Sequence, residues 1–362
     1  MIFNNMKISV IGIGKLGLCF ALYLEKLGHE VVGIDIHQEY VDKLNAKTLK
    51  SSEPSLEEYL KAAKKFRATT QLSEIKGSDL VFILVQTPAS DESDDFYDHG
   101  ILENVIKNVN DLGKYDIVVN STVIPGFYNK WAKLVKGTLS YNPAFVSQGN
   151  VFKDYTTGGK FGVTILGTEH DDVYEKVKDL YPTKVHRMSP SSAEIFKICN
   201  NTFRVMKIAY TNYVRDLSTR VPGACPIEIS EAMKADSSIG PVCTTPGYGY
   251  GGPCYPRDTK AVMQFAKNVN MDTFLPAAIE SDNQRHHNHL LEEIIMSGKD
   301  VHTFENVTYR PDMSVSMIDN SPKLKLAEDL VKKGHKVIIK DTPETIECVK
   351  GVFGDIFSYI KK

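Results

Sequence analysis

"KISVIGIGKLGLCFALYLEKLGHEVVGIDI", residues 7–36, reads as a β-branched run, a glycine turn, an apolar helical stretch, and a second strand ending at Asp35. This is a βαβ unit. Gly12, Gly14 and Gly17 form G-x-G-x-x-G between the first strand and the helix. In that context the glycines permit a tight turn, the close approach of a pyrophosphate, and close packing of the helix. Asp35 is placed to accept hydrogen bonds from an adenosine ribose 2′-hydroxyl and would repel a 2′-phosphate, which favours NAD over NADP. The glycine pattern alone also suits a plain structural turn. Its strand-to-helix context together with Asp35 selects the dinucleotide reading.

Working outward, the runs "DLVFILV" (79–85), "YDIVVNST" (115–122) and "KFGVTIL" (160–166) are short and β-branched, separated by helical or turn-rich segments. They predict a Rossmann-type doubly wound sheet reaching to about residue 187. The turns "VQTP" (85–88) and "NSTVIPG" (120–126) follow strands, where ligands collect at the carboxyl edge of such sheets. From Ser192 to Val221, the apolar residues Ile195, Ile198, Phe203, Met206, Ala209, Tyr213 and Leu217 recur at helical spacing with no glycine or proline between them. One long helix is expected there. "NSPKLKLAEDLVKKGHKVIIKD" (320–341) is the clearest part of a closing strand-helix-strand pattern. The expected division is a dinucleotide-binding domain at 1–190, a central helical domain at 191–297, and a small α/β domain at 298–362.

Hydrophobic content of 42%, charged content of 24% and a net charge of -2 describe an ordinary soluble chain with no excess basicity for nucleic acid or an acidic membrane. The apolar N-terminal run carries Lys15 and several glycines, so neither a membrane span nor a secretion signal is expected, and the location read from the sequence is cytoplasmic. Six cysteines without C-x-x-C pairs indicate neither a disulfide framework nor a zinc site. Most are expected to be small buried apolar residues. "RHHNH" (285–289) gives no metal site, because adjacent histidines on a helix diverge. "KAAKKFR" (61–67) and "KKGHK" (332–336) are expected to be solvated helix faces.

Cys254 stands apart. It lies in "PGYGYGGPCYPRDTKAV" (246–262), among loop formers, just ahead of a helix start with Pro256 and Asp258 in its first turn. A thiol near the positive end of a helix, with a lysine available from another helix, suits a nucleophile; an idle cysteine is the plainer reading. The glycines at 247, 249, 251 and 252 would admit a bulky ligand near the backbone, or make a mobile loop. Lys197 and Asn201, four apart, share a face of the long helix, where a solvated surface is the plainer reading.

Taken in order, the glycine turn, "TP" (87–88), "STVIPG" (121–126), "YNPAF" (141–145), "EIFKICNNTF" (194–203) and the Cys254 loop resemble the UDP-glucose/GDP-mannose dehydrogenase family, most closely its UDP-glucose 6-dehydrogenase members. The resemblance runs from Lys7 to about Asn288. It implies oxidation of a sugar C6 alcohol to a carboxylate with two NAD⁺, through a thiohemiacetal and a thioester on cysteine. It implies Cys254 as nucleophile, Lys197 and Asn201 as oxyanion stabilisers, Asp258 as a group orienting water or moving a proton, and Thr122 beside the nicotinamide. Gly12, Gly14, Gly17, Asp35, Thr87 and Thr122 would hold the cofactor. Phe145, Gln148, Lys197, Asn201, Tyr248, Tyr250, Gly251 and Arg310 would hold the nucleotide sugar, in a homodimer built on the long helix.

The chain also departs from the family. Ala144 and Gln148 replace the two glutamates of Asn-Pro-Glu-Phe-Leu-x-Glu, and the first of these does acid/base work in thioester hydrolysis, which alanine cannot do. Ser238 replaces a substrate-binding arginine, and "YRPDMSVSMID" (309–319) keeps a cation at Arg310 without the family's acidic pair and following arginine. The alternatives to a UDP-glucose enzyme are one for GDP-mannose or a UDP-N-acetylhexosamine, and a hydrolysis-impaired or non-catalytic nucleotide-sugar-binding homologue.

Overall fold

The structure, a computed structural model, describes residues 5–90, 96–158, 162–310 and 313–362. They form two compact units, Met1–Lys197 and Ile198–Lys362. The first is built on eight strands: β1 (Lys7–Ile11), β2 (Glu30–Ile34), β3 (Phe66–Thr69), β4 (Leu80–Ile83), β5 (Asp116–Val119), β6 (Thr138–Tyr141), β7 (Thr164–Gly167) and β8 (Val185–Met188). Their order is β3-β2-β1-β4-β5-β6-β7-β8, parallel throughout except at the single pair Tyr141–Gly167 between β6 and β7. The order reverses between β1 and β4, the switch point of a Rossmann sheet.

Helices α1 (Lys15–Lys26), α2 (Gln38–Asn45), α3 (Leu56–Ala62), α4 (Gly100–Leu112), α5 (Phe127–Trp131), α6 (Val151–Thr157) and α7 (Asp171–Lys178) cover the sheet. Successive strand side chains point to opposite faces, and the core divides accordingly. Ile8, Val10 and Phe82 pack with Phe20, Leu24 and Tyr155 on one face, while Val81, Ile83 and Val119 pack with Leu102, Ile106 and Val109 on the other. A strand buried on both faces has no polar alternation, which is why these segments read as continuous apolar runs.

The long helix α8 (Pro190–Ser218) belongs to both units: its first turns, to Lys197, to the first and the remainder to the second. It begins slightly before the expected Ser192. The second unit adds α9 (Pro226–Ala235), α10 (Tyr255–Asn268), α11 (Phe274–Met296), α12 (Pro322–Lys332) and α13 (Pro343–Phe353), with a parallel sheet ordered β11 (Ser358–Lys361), β10 (Lys336–Asp341), β9 (Val301–Glu305). The starts of α12 and α13 use the same local device. Ser321 and Thr342 accept from the backbone three residues on, and proline fills the next position.

Three expectations are corrected. Only Cys19 is buried; Cys199, Cys254 and Cys348 are exposed and Cys225 and Cys243 intermediate, because the others lie on outward helix faces, at a helix end or in loops. "KAAKKFR" runs from the end of α3 into β3 instead of forming a helix face. "KKGHK" likewise crosses from the end of α12 through a turn at Gly334, φ +89°, into β10.

Candidate active site

In the first unit the fingerprint glycines divide the work as their chemistry requires. Gly12 has φ +86°, and a methyl there would lie 2.6 Å from the Leu84 carbonyl oxygen. A methyl on Gly17 would lie 2.0 Å from the Gly12 oxygen, so the start of α1 is pressed onto the turn. A methyl on Gly14 meets nothing within 4 Å, and no side chain caps α1 there. An open backbone at an uncapped helix N-terminus fits a pyrophosphate. Asp35 directly follows β2, with the His37 N–H donating to its Oδ1 at 3.2 Å. The residues present therefore fit a dinucleotide.

Thr87 and Thr122, distant in sequence, meet after β4 and β5. The Thr87 hydroxyl donates to the Thr122 carbonyl at 2.7 Å, and the Ser121 hydroxyl donates to the Val85 carbonyl at 2.6 Å. The loop after β6 is held by a buried glutamate: Glu53 accepts from the backbone of Gly149 at 2.9 Å and Val151 at 2.7 Å. Phe145 and the half-buried Gln148 sit in that loop. Lys197, 9% exposed, donates to the Ala144 carbonyl at 3.1 Å, and its Nζ lies 4.9 Å from the Phe145 ring centre. The solvated-surface reading of this lysine is thus replaced by a buried one. Ala144, where the resemblance would place a glutamate, contributes its backbone oxygen.

In the second unit Cys254 is the N-cap residue of α10, with its thiol exposed and taking no part in the cap. Its carbonyl accepts from the Asp258 N–H at 2.8 Å, which sets the carboxylate one turn along the helix. Asp258 is fully buried. Its Oδ2 accepts from Asn201 Nδ2 at 2.7 Å, and Oδ1 from Arg257 Nε at 3.0 Å. Asn201 Oδ1 accepts from Arg204 at 3.3 Å. An amide nitrogen carries two protons, so the bond to Asp258 takes one and leaves one for another acceptor.

The glycine loop is neither plainly mobile nor wholly given to ligand. A methyl on Gly249 would lie 2.3 Å from Asn283 Oδ1, one on Gly251 2.0 Å from the Asn320 carbonyl, and one on Gly252 (φ +78°) 2.6 Å from the Tyr309 ring. Gly247 alone of the four faces open space. Asn212 accepts from Gly247 N–H and donates to the Tyr248 carbonyl, Asn283 does the same for the N–H and carbonyl of Tyr250, and Asn320 donates to the Gly252 carbonyl. The Tyr250 ring is built into the core with Val205, Ala209 and Ile279, whereas Tyr248 is exposed beneath the Lys323 ammonium. The Arg310 guanidinium lies 5.9 Å from the Tyr309 ring centre. Ser238, where the resemblance would place an arginine, turns its hydroxyl back to Asp236 at 2.6 Å.

Sequence reasoning missed Asn212, Asn283, Asn320 and His286. The buried His286 places Nδ1 2.9 Å from Asp216 Oδ2 and donates from Nε2 to the Gly247 carbonyl at 2.8 Å, while His287 turns to Asp329. Asn212, Asn283 and His286 lie on helices and Asn320 in the turn before α12, and no local pattern marks any of them. Among the described residues no group of three or more His, Cys, Asp or Glu is arranged to hold a metal ion. None of the described helices is long and apolar enough to cross a membrane.

Residues 6–185 match the sequence model of the UDP-glucose/GDP-mannose dehydrogenase family NAD-binding domain, and residues 191–285 match that of the family's central domain. The chain belongs to the UDP-glucose/GDP-mannose dehydrogenase family. It is an NAD-binding oxidoreductase of the nucleotide-sugar dehydrogenase type. The UDP-glucose 6-dehydrogenase AglM of Haloferax volcanii is 29% identical over 97% of this chain and 86% of its own length. Among solved structures, a UDP-glucose dehydrogenase of Pyrobaculum islandicum superposes with TM-score 0.85 at 26% identity, covering 99% of this chain and 87% of that one. The UDP-D-ManNAc dehydrogenase of Pyrococcus horikoshii gives 0.78 at 26% identity, covering 93% and 83%. Family membership therefore fixes the reaction class and leaves the sugar to be argued.

Proposed function

We propose that this family member is a UDP-glucose 6-dehydrogenase, converting UDP-glucose to UDP-glucuronate through covalent adducts on Cys254. The observation that carries the reading is the exposed Cys254 thiol on the cap of α10, one turn from the buried Asp258–Asn201 pair. Gly12, Gly14, Gly17, Asp35, Thr87 and Thr122 hold NAD⁺, which when bound supplies the hydride acceptor for each oxidation. Cys254 Sγ bonds to C6 of the aldehyde, giving a thiohemiacetal whose oxygen is met by Lys197 and the remaining N–H of Asn201. After the second oxidation the same bond is a thioester. Water adds to its carbonyl, the C–S bond breaks, and the sulfur leaves as thiolate. Asp258 orients that water, and the family resemblance assigns Thr122 to the nicotinamide.

Phe145, Gln148, Tyr248, Tyr250, Gly251 and Arg310 form the substrate-binding set. The division at 1–190, 191–297 and 298–362 follows the same reading. A homodimer built on α8 is supported by the exposed apolar side chains Phe203, Tyr210, Tyr213 and Leu217 along it.

With Ala144 and Gln148 in place of two glutamates, hydrolysis is the step expected to limit turnover. The test is NADH produced per sugar by wild type and Cys254→Ser, with UDP-glucose, GDP-mannose and UDP-N-acetylglucosamine compared. Two NADH per UDP-glucose, lost in the serine variant, supports the reading. One NADH per site followed by a stall identifies a hydrolysis-impaired enzyme. Faster turnover of another sugar reassigns the substrate, and no reduction with any of them refutes the enzyme reading.

A further inference from the structure

Glu194 has no part in the chemistry above, yet it is 1% exposed and lies three residues before Lys197 on α8. Each of its carboxylate oxygens takes one backbone N–H. Oε2 accepts from Gly126 and Oε1 from Tyr128, both at 2.7 Å. These amides stand where the Thr122 loop, residues 120–126, passes into α5. The loop is tied at its other end by the Ser121 hydroxyl to Val85 and by Thr87 to the Thr122 carbonyl. One turn further along α8, Lys197 reaches the Ala144 carbonyl in the loop after β6. One face of the helix thus grips both loops at the carboxyl edge of the sheet.

A buried carboxylate is a costly anchor. Burial pushes the Glu194 carboxyl up to about 7, against the opposing effect of its two backbone hydrogen bonds. A hydroxyl could receive one of these N–H groups at less cost. What only a two-oxygen acceptor provides is simultaneous capture of two amides on a turning backbone, which fixes the orientation of the loop as well as its distance.

We propose that Glu194 is a positioning residue of the reaction, fixing the Thr122 loop to the turn of α8 that carries Lys197. The catalytic consequence rests on the roles proposed for Thr122 and Lys197; the anchoring itself does not. Loosening the anchor leaves the glycine turn untouched and lets Thr122 wander from the geometry that the hydride-transfer steps require.

The test compares full-length wild type, Glu194→Gln and Glu194→Ala at pH 8, where the carboxyl is ionised, by hydrogen–deuterium exchange and steady-state kinetics with UDP-glucose and NAD⁺. Exchange over residues 124–130 should quicken about tenfold or more in the alanine variant, with β1, β4 and β5 still protected. The glutamine variant, which keeps one acceptor oxygen and the side-chain shape, should show a partial effect and covers the case in which alanine does not fold. The kcat should fall about tenfold to a hundredfold, while the KM for NAD⁺ stays within about threefold. Wild-type exchange in both variants overturns the anchor. Faster exchange with wild-type kcat per folded molecule makes the carboxylate merely structural and overturns the positioning role. If wild type oxidises no sugar nucleotide the functional reading has failed, and the exchange measurement, which needs no activity, still decides whether Glu194 holds the loop.

Discussion

Asn201 Nδ2 donates to Asp258 Oδ2 at 2.7 Å, joining α8 to the first turn of α10 immediately behind the Cys254 cap. The carboxylate is fully buried and its second oxygen is taken by Arg257. Asp258→Ala removes the shared acceptor and leaves the buried Asn201 amide without it, so a loss of about 2–4 kcal/mol is expected in urea unfolding. Asp258→Asn, of nearly the same shape, should cost less than half as much and still lower turnover at least about a hundredfold if the carboxylate handles water or a proton. An alanine variant as stable as wild type would show that this joint does not hold the cap.

Cys254 presents the opposite case, because its side chain is exposed and caps nothing. Cys254→Ala should unfold within about 0.5 kcal/mol of wild type and yield no uronate. Alkylation by iodoacetamide should abolish activity in step with modification of this one thiol, as followed by peptide mass spectrometry. Full activity after complete modification of Cys254 would remove it from the mechanism.

How much of this was legible in the sequence differs between the two units for a physical reason. The βαβ start, the order of turns after β4 and β5, and the long helix depend on local periodicity and on glycines whose strain is local, and these are visible in one pass along the chain. The clamps on the glycine loop join residues far apart: Asn212 to Gly247, Asn283 to Tyr250, Asn320 to Gly252. Each is a single polar residue with no local pattern. The same is true of Glu53 and Glu194, which satisfy backbone amides on distant loops. Lys197 and Asn201 read as surface because polar helix residues usually are, and only tertiary packing buries them.

The glycine loop yields a paired prediction. Gly252→Ala combines φ +78° with a methyl 2.6 Å from the Tyr309 ring and should cost about 2–4 kcal/mol. Gly247→Ala meets nothing within 4 Å and has no positive φ, so its folding stability should stay within about 0.5 kcal/mol of wild type. Thermal or urea unfolding separates them. Equal losses would mean that the Gly252–Tyr309 approach is readily relieved.

Asp35 tests the cofactor assignment without touching the sugar site. Its carboxylate at the end of β2 repels a ribose 2′-phosphate and accepts from a 2′-hydroxyl. Asp35→Ser should raise the KM for NAD⁺ about tenfold and improve kcat/KM with NADP⁺ relative to NAD⁺ by at least that factor. Unchanged preference between the two cofactors would move the discrimination elsewhere, His37 being the neighbouring group to examine next.

Two buried carboxylates on α8 titrate in opposite directions, and the difference is measurable as stability. Burial pushes the Glu194 carboxyl from its ordinary 4.5 up to about 7, its two amide donors only partly opposing the shift. Burial acts on Asp216 in the same sense, but hydrogen bonds from His286, Arg215 and Arg285 outweigh it and hold that carboxyl down at about 2. Between pH 4.5 and 7 the native chain keeps a proton on Glu194 that the unfolded chain has released. This contribution therefore favours the folded state at the acid end and disappears as pH rises through about 7, a change on the order of 3 kcal/mol. Asp216 works the other way, stabilising above its ordinary pKa near 4 and losing that contribution only as pH falls toward 2. Urea unfolding of wild type and Glu194→Gln at pH 5, 6, 7 and 8 isolates the Glu194 effect, since glutamine has nothing to titrate and Asp216 stays ionised throughout. Wild type should lose stability relative to the variant by roughly 3 kcal/mol across that range. A difference that does not change with pH would mean that Glu194 keeps an ordinary carboxylate pKa, and that its two amide donors fully offset its burial.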